Sequence, residues 1–98
     1  MVQASRTSGL LGATASNLVF VGQCKLMSIH ACENAGALAI VEIHDCAAVA
    51  DIAASNMVSR LRINQGNSLE FDMHGVLMMK GICAVEASGD ASFSVEFS

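Results

Sequence analysis

The segment LEFDMHG, residues 69–75, decides the fold class of this chain. Its apolar residues Leu69, Phe71 and Met73 alternate with polar residues, and a glycine follows them. Alternation with a period of two places apolar side chains on one face of a β-strand and polar side chains on the other. The C-terminal segment FSVEF, residues 93–97, repeats this pattern. Both segments therefore predict strands that bury one face.

Short apolar segments of the same kind occur from residue 18 to the end of the chain, with turn residues such as Asn64-Gln65-Gly66-Asn67 between them. The segments 25–32 and 37–45 are expected to form a hairpin around Asn34-Ala35, and residues 47–56 a short helix or a loop. Seven or eight short strands with turns between them predict an all-β protein, an antiparallel β-sandwich of the jelly-roll-like kind. The predicted strands are 18–21, 25–32, 37–45, 57–63, 69–74, 76–79, 82–87 and 93–97.

The first 17 residues differ from the rest, because they are rich in Ser, Thr, Gly and Ala. Leu10 and Leu11 provide most of their apolar surface, so the segment cannot bury enough to fold alone. Two interpretations stay open: an extended arm that docks on the sheet edge of a neighbouring subunit, or a frayed tail. The expected organisation is an N-terminal arm of residues 1–17 and a sandwich domain of residues 18–98.

The composition indicates association with other protein surfaces. Charged residues make up 14% of the 98 residues, the hydrophobic residues 53%, and the formal net charge is −4. An average soluble domain is roughly 25% charged. The negative charge disfavours nucleic-acid binding, which requires neutralisation of phosphates. The small number of charges predicts a homo-oligomer, because permanent interfaces resemble a core cut in half.

Membrane insertion and secretion are not expected. The longest stretch without charge, residues 7–24, contains three glycines and several polar residues, so it does not resemble a spanning helix. The N-terminus lacks the pattern of a secretory signal, which predicts a reducing cytoplasm and reduced thiols for Cys24, Cys32, Cys46 and Cys83. In the predicted hairpin Cys24 lies opposite Cys46, so a disulfide between these two stays open.

Two His-x-Cys pairs, His30 with Cys32 and His44 with Cys46, could each present an imidazole and a thiol on one strand face. In the predicted hairpin His44 lies roughly 13 Å along the ladder from the residue opposite His30, so the pairs do not converge on one metal. Asp72 and His74 could form an acid and imidazole pair, but a solvated outer face explains them more simply. Motifs for nucleophilic, phosphate or zinc chemistry are missing from the sequence. We therefore expect a protein that is not an enzyme and that uses no metal or cofactor.

Six residues are candidates for an interface. The two leucines of the arm could anchor it, and two arginines on one strand face could pair with carboxylates across a subunit contact. Core packing is favoured for two methionines near the Gly75 to Gly81 region, with an adaptable binding surface as the alternative. These candidates are Leu10, Leu11, Arg60, Arg62, Met78 and Met79.

The C-terminal third carries a further pattern: an aromatic residue, a Gly-aliphatic step, a second Gly-aliphatic step and a final strand. The residues are Phe71, Gly75-Val76, Gly81-Ile82 and 93–97. Upstream, Gly22-x-x-Lys25-Leu26-x-x-Ile29 precedes a strand that ends at Ile43-His44-Asp45. Over residues 22–97 this arrangement resembles small bacteriophage virion proteins of the capsid decoration or cement type.

The resemblance implies a β-sandwich subunit, commonly a trimer, that sits on the surface of a phage capsid after assembly in the host cytoplasm. Its implied partners are copies of itself and the major capsid protein, and its implied action is non-covalent burial between capsomers. A tail or neck component of the same particle is an alternative. From a different class, a small metal-binding or carbohydrate-binding sandwich is another.

Overall fold

The computed structural model describes residues 6–12 and 16–98. Residues 45–56 include two single-turn 3₁₀ helices, Val49–Asp51 and Ala54–Asn56. The described residues contain nine β-strands: β1 Arg6–Thr7, β2 Leu11–Gly12, β3 Ser16–Val21, β4 Cys24–Glu33, β5 Ala39–His44, β6 Met57–Ile63, β7 Ser68–Met78, β8 Gly81–Ser88 and β9 Ala91–Phe97.

The strands form two antiparallel sheets packed face to face. In the first sheet β9 and β4 are central, β7 forms one edge, and β1 and β2 both pair with β9 at the other edge. In the second sheet the order is β3, β8, β5, β6. The predicted all-β antiparallel sandwich is thereby confirmed.

The pairing order identifies the type of sandwich. If β1 and β2 count as one interrupted strand, the first strand pairs with the last, β3 with β8, β4 with β7, and β5 with β6. This is the pairing of one long hairpin rolled up on itself, which is the jelly-roll arrangement. As a result, the turns β3–β4, β5–β6 and β7–β8 lie at one end of the sandwich, and the turns β4–β5, β6–β7 and β8–β9 lie at the opposite end.

The core lies between the two sheets and comes from the alternating faces of the strands. On β9, Phe93, Val95 and Phe97 are buried while the serines and the glutamate between them are partly exposed. The predicted inward face of the last strand is therefore confirmed. Burial of such side chains contributes roughly 1.5–3 kcal/mol each, which makes β9 the main apolar contributor to the first sheet.

The predicted hairpin between 25–32 and 37–45 is wrong. β4 pairs with β7 and β9 in the first sheet, whereas β5 pairs with β6 and β8 in the second. The chain crosses from one sheet to the other between the two strands. Alternation alone cannot distinguish two strands that pair from two strands that face each other across a core. Cys24 consequently lies opposite Met78 and not opposite Cys46.

The segments 69–74 and 76–79 form one bent strand, β7, and not two. The register with β4 shifts between Leu26 and Ser28, so that a bulge around His74 and Gly75 opposes Met27. His74 and Gly75 have φ of 55° and 77°, a left-handed conformation that bends the strand. The Asp72 carboxylate accepts the His74 N–H at 2.9 Å, which explains the acid and imidazole pair as a local turn.

The described part of the predicted N-terminal arm belongs to the sandwich. Arg6–Thr7 and Leu11–Gly12 pair with β9 of the same chain, and the expected boundary between residues 17 and 18 falls inside β3. The Arg6 guanidinium lies over the Phe20 ring, 5.4 Å from its centroid. Residues 1–5 and 13–15 of the arm lie outside the described residues. A polar, small-residue segment can form an edge strand because its backbone, not its side chains, makes the contacts.

Among the helices within residues 6–12 and 16–98, none has the length and apolar character needed to cross a bilayer.

Candidate functional site

The two ends of the sandwich differ in polarity. One end consists of turns rich in Asn, Gly, Ser and Asp, at residues 34–37, 64–67 and 88–90. The other end, which we call the apolar end, presents large apolar side chains that are 57, 42, 51 and 60% exposed: Val21, Val49, Leu77 and Met79. Exposed apolar side chains gathered in one place mark interaction surfaces.

Contacts connect three of these four residues. Gly22 N–H donates to the Lys80 carbonyl at 2.8 Å, which joins the end of β3 to the β7–β8 turn. The first 3₁₀ helix, which carries Val49, contacts β3, and the Gln23 amide lies 3.9 Å from the Met79 sulfur. Leu77 lies opposite the exposed Lys25, on the outer face of the first sheet. The apolar end therefore joins the segments that carry Val21, Val49 and Met79, with Leu77 on the outer face of the first sheet at the same end.

A single carboxylate shapes the turn that carries Met79. Asp45, directly after β5, accepts the backbone N–H groups of Met79 at 2.9 Å, Lys80 at 2.8 Å and Gly81 at 3.3 Å. Hydrogen bonds to an ionised carboxylate are about twice as strong as neutral ones. Asp45 therefore fixes the β7–β8 turn against the second sheet and holds Met79 in its exposed position.

The ionisation of Asp45 reflects this role. Burial acts to raise the pKa of the Asp45 carboxyl, but the three N–H donors and the Lys80 charge together outweigh it. The pKa of Asp45 lies below its ordinary value. The carboxylate is thus charged throughout the neutral range.

Gly81 allows the close approach at this turn. A Cβ at this position would lie 2.8 Å from the Cys46 carbonyl oxygen and closer still to the Phe20 carbonyl oxygen. No side chain fits between these two backbone segments. The glycine is therefore required for β3 and the β5–β6 connection to meet beside the apolar end.

Glu33 has the corresponding position at the polar end. Its buried carboxylate accepts the Gly66 N–H at 2.8 Å and also the Ala35 N–H, so it joins the β4–β5 and β6–β7 turns. The hydrogen bond from Gly66 is the main cause that lowers the pKa of the Glu33 carboxyl below its ordinary value, against the opposing effect of burial. Glu33 and Asp45 each hold together turns that are far apart in sequence.

A groove of about 380 Å³ crosses the outer face of the first sheet. Its lining combines the apolar Leu10 side chain of the arm with residues of β4, β7 and β9, most of them polar. The lining residues are Leu10, His30, Ala31, Cys32, Ser68, Leu69, Glu70, Ser92 and Ser94. A groove of this size lies within the range of small-ligand sites.

His30 is in the middle of this groove. Its Nε2 lies 2.9 Å from Glu96 Oε1 and 3.6 Å from Glu70 Oε2. Each side chain is at least 39% exposed, so these pairs contribute at most about 1 kcal/mol. The Cys32 thiol points elsewhere, toward the Glu33 carbonyl oxygen at 3.6 Å, and forms no hydrogen bond with His30.

His44 has a structural environment. It is 2% exposed, and its Nδ1 lies 3.0 Å from the Ala53 carbonyl oxygen and 2.9 Å from Asn56 Oδ1. Both neighbours are acceptors, so Nδ1 carries the hydrogen. His44 thereby anchors the β5–β6 connection, the segment 47–56 predicted as a short helix or loop, onto the second sheet.

The two His-x-Cys pairs are separated by the architecture, since His30 lies in the first sheet and His44 in the second. Within the described ranges 6–12 and 16–98, no three His, Cys, Asp or Glu side chains are grouped so that they could hold a metal ion. All four cysteines are free thiols. Burial raises the pKa of the Cys24 thiol, and burial together with the contact to Cys46 raises the pKa of Cys83 to about 12.

The six interface candidates fall into different environments. Leu10 is fully exposed at the groove, whereas Leu11 packs against the core. Met79 is exposed at the apolar end, but Met78 is completely buried between the sheets and offers no surface to a partner, because it points inward from the bent end of β7. Arg60 and Arg62 are exposed on β6 beside Ile40.

Sequence reasoning missed Val21, Leu77 and Asp45. Asp45 follows the strand that ends at Ile43-His44, and a lone aspartate after a strand is a common turn signal. Its three donors, residues 79–81, are 34–36 positions away. Only the topology brings them together, so the local sequence carries no signal for this contact.

No protein-family model matches this chain, and no curated protein sequence is significantly similar to it.

Proposed function

We propose that this chain is a structural subunit of a bacteriophage particle, a capsid decoration or cement protein that attaches to the major capsid protein through its apolar end. The observation that carries the proposal is the cluster of Val21, Val49, Leu77 and Met79, exposed at one end of a sandwich whose other end is polar. The chemistry is burial without covalent bonds. The proposed attachment requires no catalytic site.

The free energy gained by burying these side chains suits a repetitive assembly. Full burial of a Val, Leu or Met side chain contributes roughly 1.5–3 kcal/mol, and these side chains have about half of their surface left to bury. Four such residues contribute about 3–6 kcal/mol per subunit before the costs of association. A modest contact of this kind becomes effective when it is repeated over a shell.

Two further observations support the proposal. The jelly roll is an architecture that viral capsid and lectin domains share, so the fold is compatible with a shell protein by analogy. The order of the segments between residues 22 and 97 resembles that of phage decoration proteins. That resemblance also suggests a homo-oligomer, commonly a trimer, at the capsid surface, and a tail or neck position in the same particle as the alternative.

The test is binding of the purified chain to capsid shells stripped of it, with the change Met79→Gln combined with Leu77→Gln. Both side chains are exposed, so thermal unfolding is expected to change little. We expect the affinity for shells to fall by at least about tenfold, because two apolar contacts are replaced by amides that must be desolvated. The matched control, Leu38→Gln, changes an exposed apolar residue beside the β4–β5 turn, at the opposite end of the sandwich.

Unchanged binding of the Met79 and Leu77 variant would overturn attachment through the apolar end. Equal losses for this variant and for Leu38→Gln would show that binding depends on general surface hydrophobicity, which also contradicts the proposal.

A second candidate function rests on the groove of the first sheet. The groove sets polar groups of His30, Glu70, Ser92 and Ser94 beside the apolar Leu10, an arrangement that suits a sugar with polar and apolar faces. A glycan screen with wild type and His30→Ala distinguishes this candidate from the first. A carbohydrate-binding protein would lose its glycan signal with His30→Ala and keep it with the Met79 and Leu77 changes.

A further inference from the structure

Two edge strands lie next to each other on one side of the sandwich. β6 forms an edge of the second sheet and β7 an edge of the first, and the short turn between them, closed by Asn67 N–H to the Asn64 carbonyl, reverses the chain. Arg6 and Phe20 close the opposite side. Unpaired edges of this length are sites at which another strand can be added.

The edges on the opposite side are less suited to pairing. β1 and β2 have two residues each, and β3 has a register shift between Leu18 and Phe20. Short and bulged edges resist the addition of a strand. In contrast, β6 is regular from Ser59 to Ile63, after a register shift at its start, and β7 is regular from Ser68 to Asp72, before its bulge.

The outer faces of the two edges carry opposite charges. β6 presents Arg60 and Arg62, and β7 presents Glu70 and Asp72, all four exposed. Arg60 lies 3.5 Å from Glu42 on the neighbouring strand. Arg62 makes no ion pair or hydrogen bond within residues 6–12 and 16–98. The charges of one edge therefore complement those of the other.

The geometry allows both edges to be used at once. A two-fold axis parallel to the strands, placed beside β6 and β7, brings β6 of one copy next to β7 of the other, and the reverse. The rotation keeps the strand direction, so β6 of one copy runs antiparallel to β7 of the other. It also aligns the outer face of the second sheet of one copy with the outer face of the first sheet of the other. Such an interface is isologous and closes at two copies.

One register satisfies both charge pairs. If Arg62 lies opposite the partner's Glu70, then Arg60 lies opposite the partner's Asp72, because antiparallel partners have a constant sum of residue numbers. The two-fold axis produces each pair twice. Opposite charges placed directly across a strand pair stabilise it.

The same register joins apolar residues on the inner faces. Leu61 then lies opposite the partner's Phe71, and Ile63 opposite the partner's Leu69. Within one chain Phe71 is only partly buried, and Leu69 is exposed although it is on the inner face of β7. The core is thus open at this side, and a second copy would cover it.

We propose that two copies of this chain associate edge to edge, with β6 of each paired to β7 of the other and with Arg62 opposite Glu70. The inference specifies the self-association that the proposed function includes. It does not depend on the capsid contact, which uses the apolar end. It specifies a two-fold pair where the resemblance suggests a trimer.

The test is a charge exchange measured by sedimentation equilibrium of the full chain. Arg62→Glu places like charges opposite each other at both symmetric positions, and Glu70→Arg does the same with the opposite sign. Each variant alone is expected to dimerise at least about tenfold more weakly than wild type. A 1:1 mixture of the two variants is expected to regain dimers, because both interfaces of the mixed dimer then pair Glu with Arg.

Matched controls are Lys25→Glu and Asp51→Arg, which change the same charges away from β6 and β7 and are expected to leave dimerisation unchanged. Thermal unfolding establishes that each variant is folded. If Arg62→Glu does not fold, Arg62→Gln replaces it, with a weakening of about threefold expected. The inference would be overturned by a wild type that is monomeric at several hundred micromolar, or by a mixture of the two variants that does not regain dimers. Neither result bears on binding to capsid shells, which is measured separately.

Discussion

Removal of the Asp45 carboxylate is the most informative perturbation of the apolar end. Asp45→Ala deletes all three acceptor contacts to residues 79–81 and leaves the backbone otherwise unchanged. Asp45→Asn keeps the shape of the side chain and removes the charge. Together the two variants separate the effect of the hydrogen bonds from that of the charge.

The expected loss of stability follows from the geometry of the Asp45 contacts. Two of the three N···O distances, 2.9 Å to Met79 and 2.8 Å to Lys80, are those of good hydrogen bonds, and the third, 3.3 Å to Gly81, is long. Water can replace the carboxylate at Met79 and Lys80, which are exposed, but less well at the buried Gly81. We expect Asp45→Ala to lower the free energy of unfolding by about 2–4 kcal/mol and Asp45→Asn by about 1–2 kcal/mol.

The assay is urea unfolding monitored by circular dichroism, between pH 7 and pH 3. Asp45 has a pKa below its ordinary value in the folded chain, so its contribution is present above the unfolded pKa, close to 4, and is lost as the pH falls through the folded pKa. The difference between wild type and Asp45→Asn should therefore shrink at the acid end of the range. Asp51→Asn is the matched control, since its exposed carboxylate accepts no hydrogen bond from the described residues.

A change below about 0.5 kcal/mol for Asp45→Ala would refute this reasoning, because surface substitutions without a specific role fall in that range. A difference between wild type and Asp45→Asn that stayed constant down to pH 3 would refute the assignment to the ionised form.

Three further predictions concern the polar end, the core and the thiols. Glu33→Gln is expected to lower the melting temperature at pH 7 but not at the lowest pH at which wild type stays folded. The pKa of Glu33 is depressed in the folded chain, so its contribution to stability is complete above the unfolded pKa near 4.5 and is lost as the pH falls through the folded pKa. Equal losses of melting temperature at both pH values would contradict this. Phe93→Ala is expected to lower the free energy of unfolding by about 3–5 kcal/mol and Phe71→Ala by about 1–2 kcal/mol, as measured by urea unfolding. The Phe93 ring is fully buried, whereas the Phe71 ring is only partly buried. Similar losses for the two variants would contradict the placement of the core. With a thiol reagent at pH 8, the exposed Cys32 is expected to react rapidly, whereas the buried Cys24, Cys46 and Cys83 react only on unfolding. Rapid reaction of more than one thiol per native chain would contradict the burial of these three cysteines.

Much of the fold follows from local patterns. The alternation of Phe93, Val95 and Phe97, and of Leu69, Phe71 and Met73, predicted both the strands and their inner faces, because the period of a strand is a property of the local chain. Strand pairing did not follow in the same way. The segments around Ile29 and Val41 have equally apolar inner faces, and only the three-dimensional arrangement places them in different sheets.

The candidate site was predictable in part. Met79 was a candidate because it lies in the short apolar run between Gly75 and Gly81, where core packing and an adaptable binding surface compete. Met78, its neighbour, could not be separated from it by sequence, since the bulge at His74 and Gly75 decides which of the two points inward. Asp45 and Glu33 depend on donors that are distant in sequence, and such contacts are set by topology.

The most direct test of the proposed capsid role is electron cryomicroscopy of virus particles purified from a source that encodes this sequence. The account predicts density for a jelly roll at repeated positions on the capsid surface, with Val21, Val49, Leu77 and Met79 buried against the major capsid protein and the polar end around Glu33 facing outward. Absence of the chain from purified particles, or a position on the shell in which the apolar end remains in solvent, would contradict it.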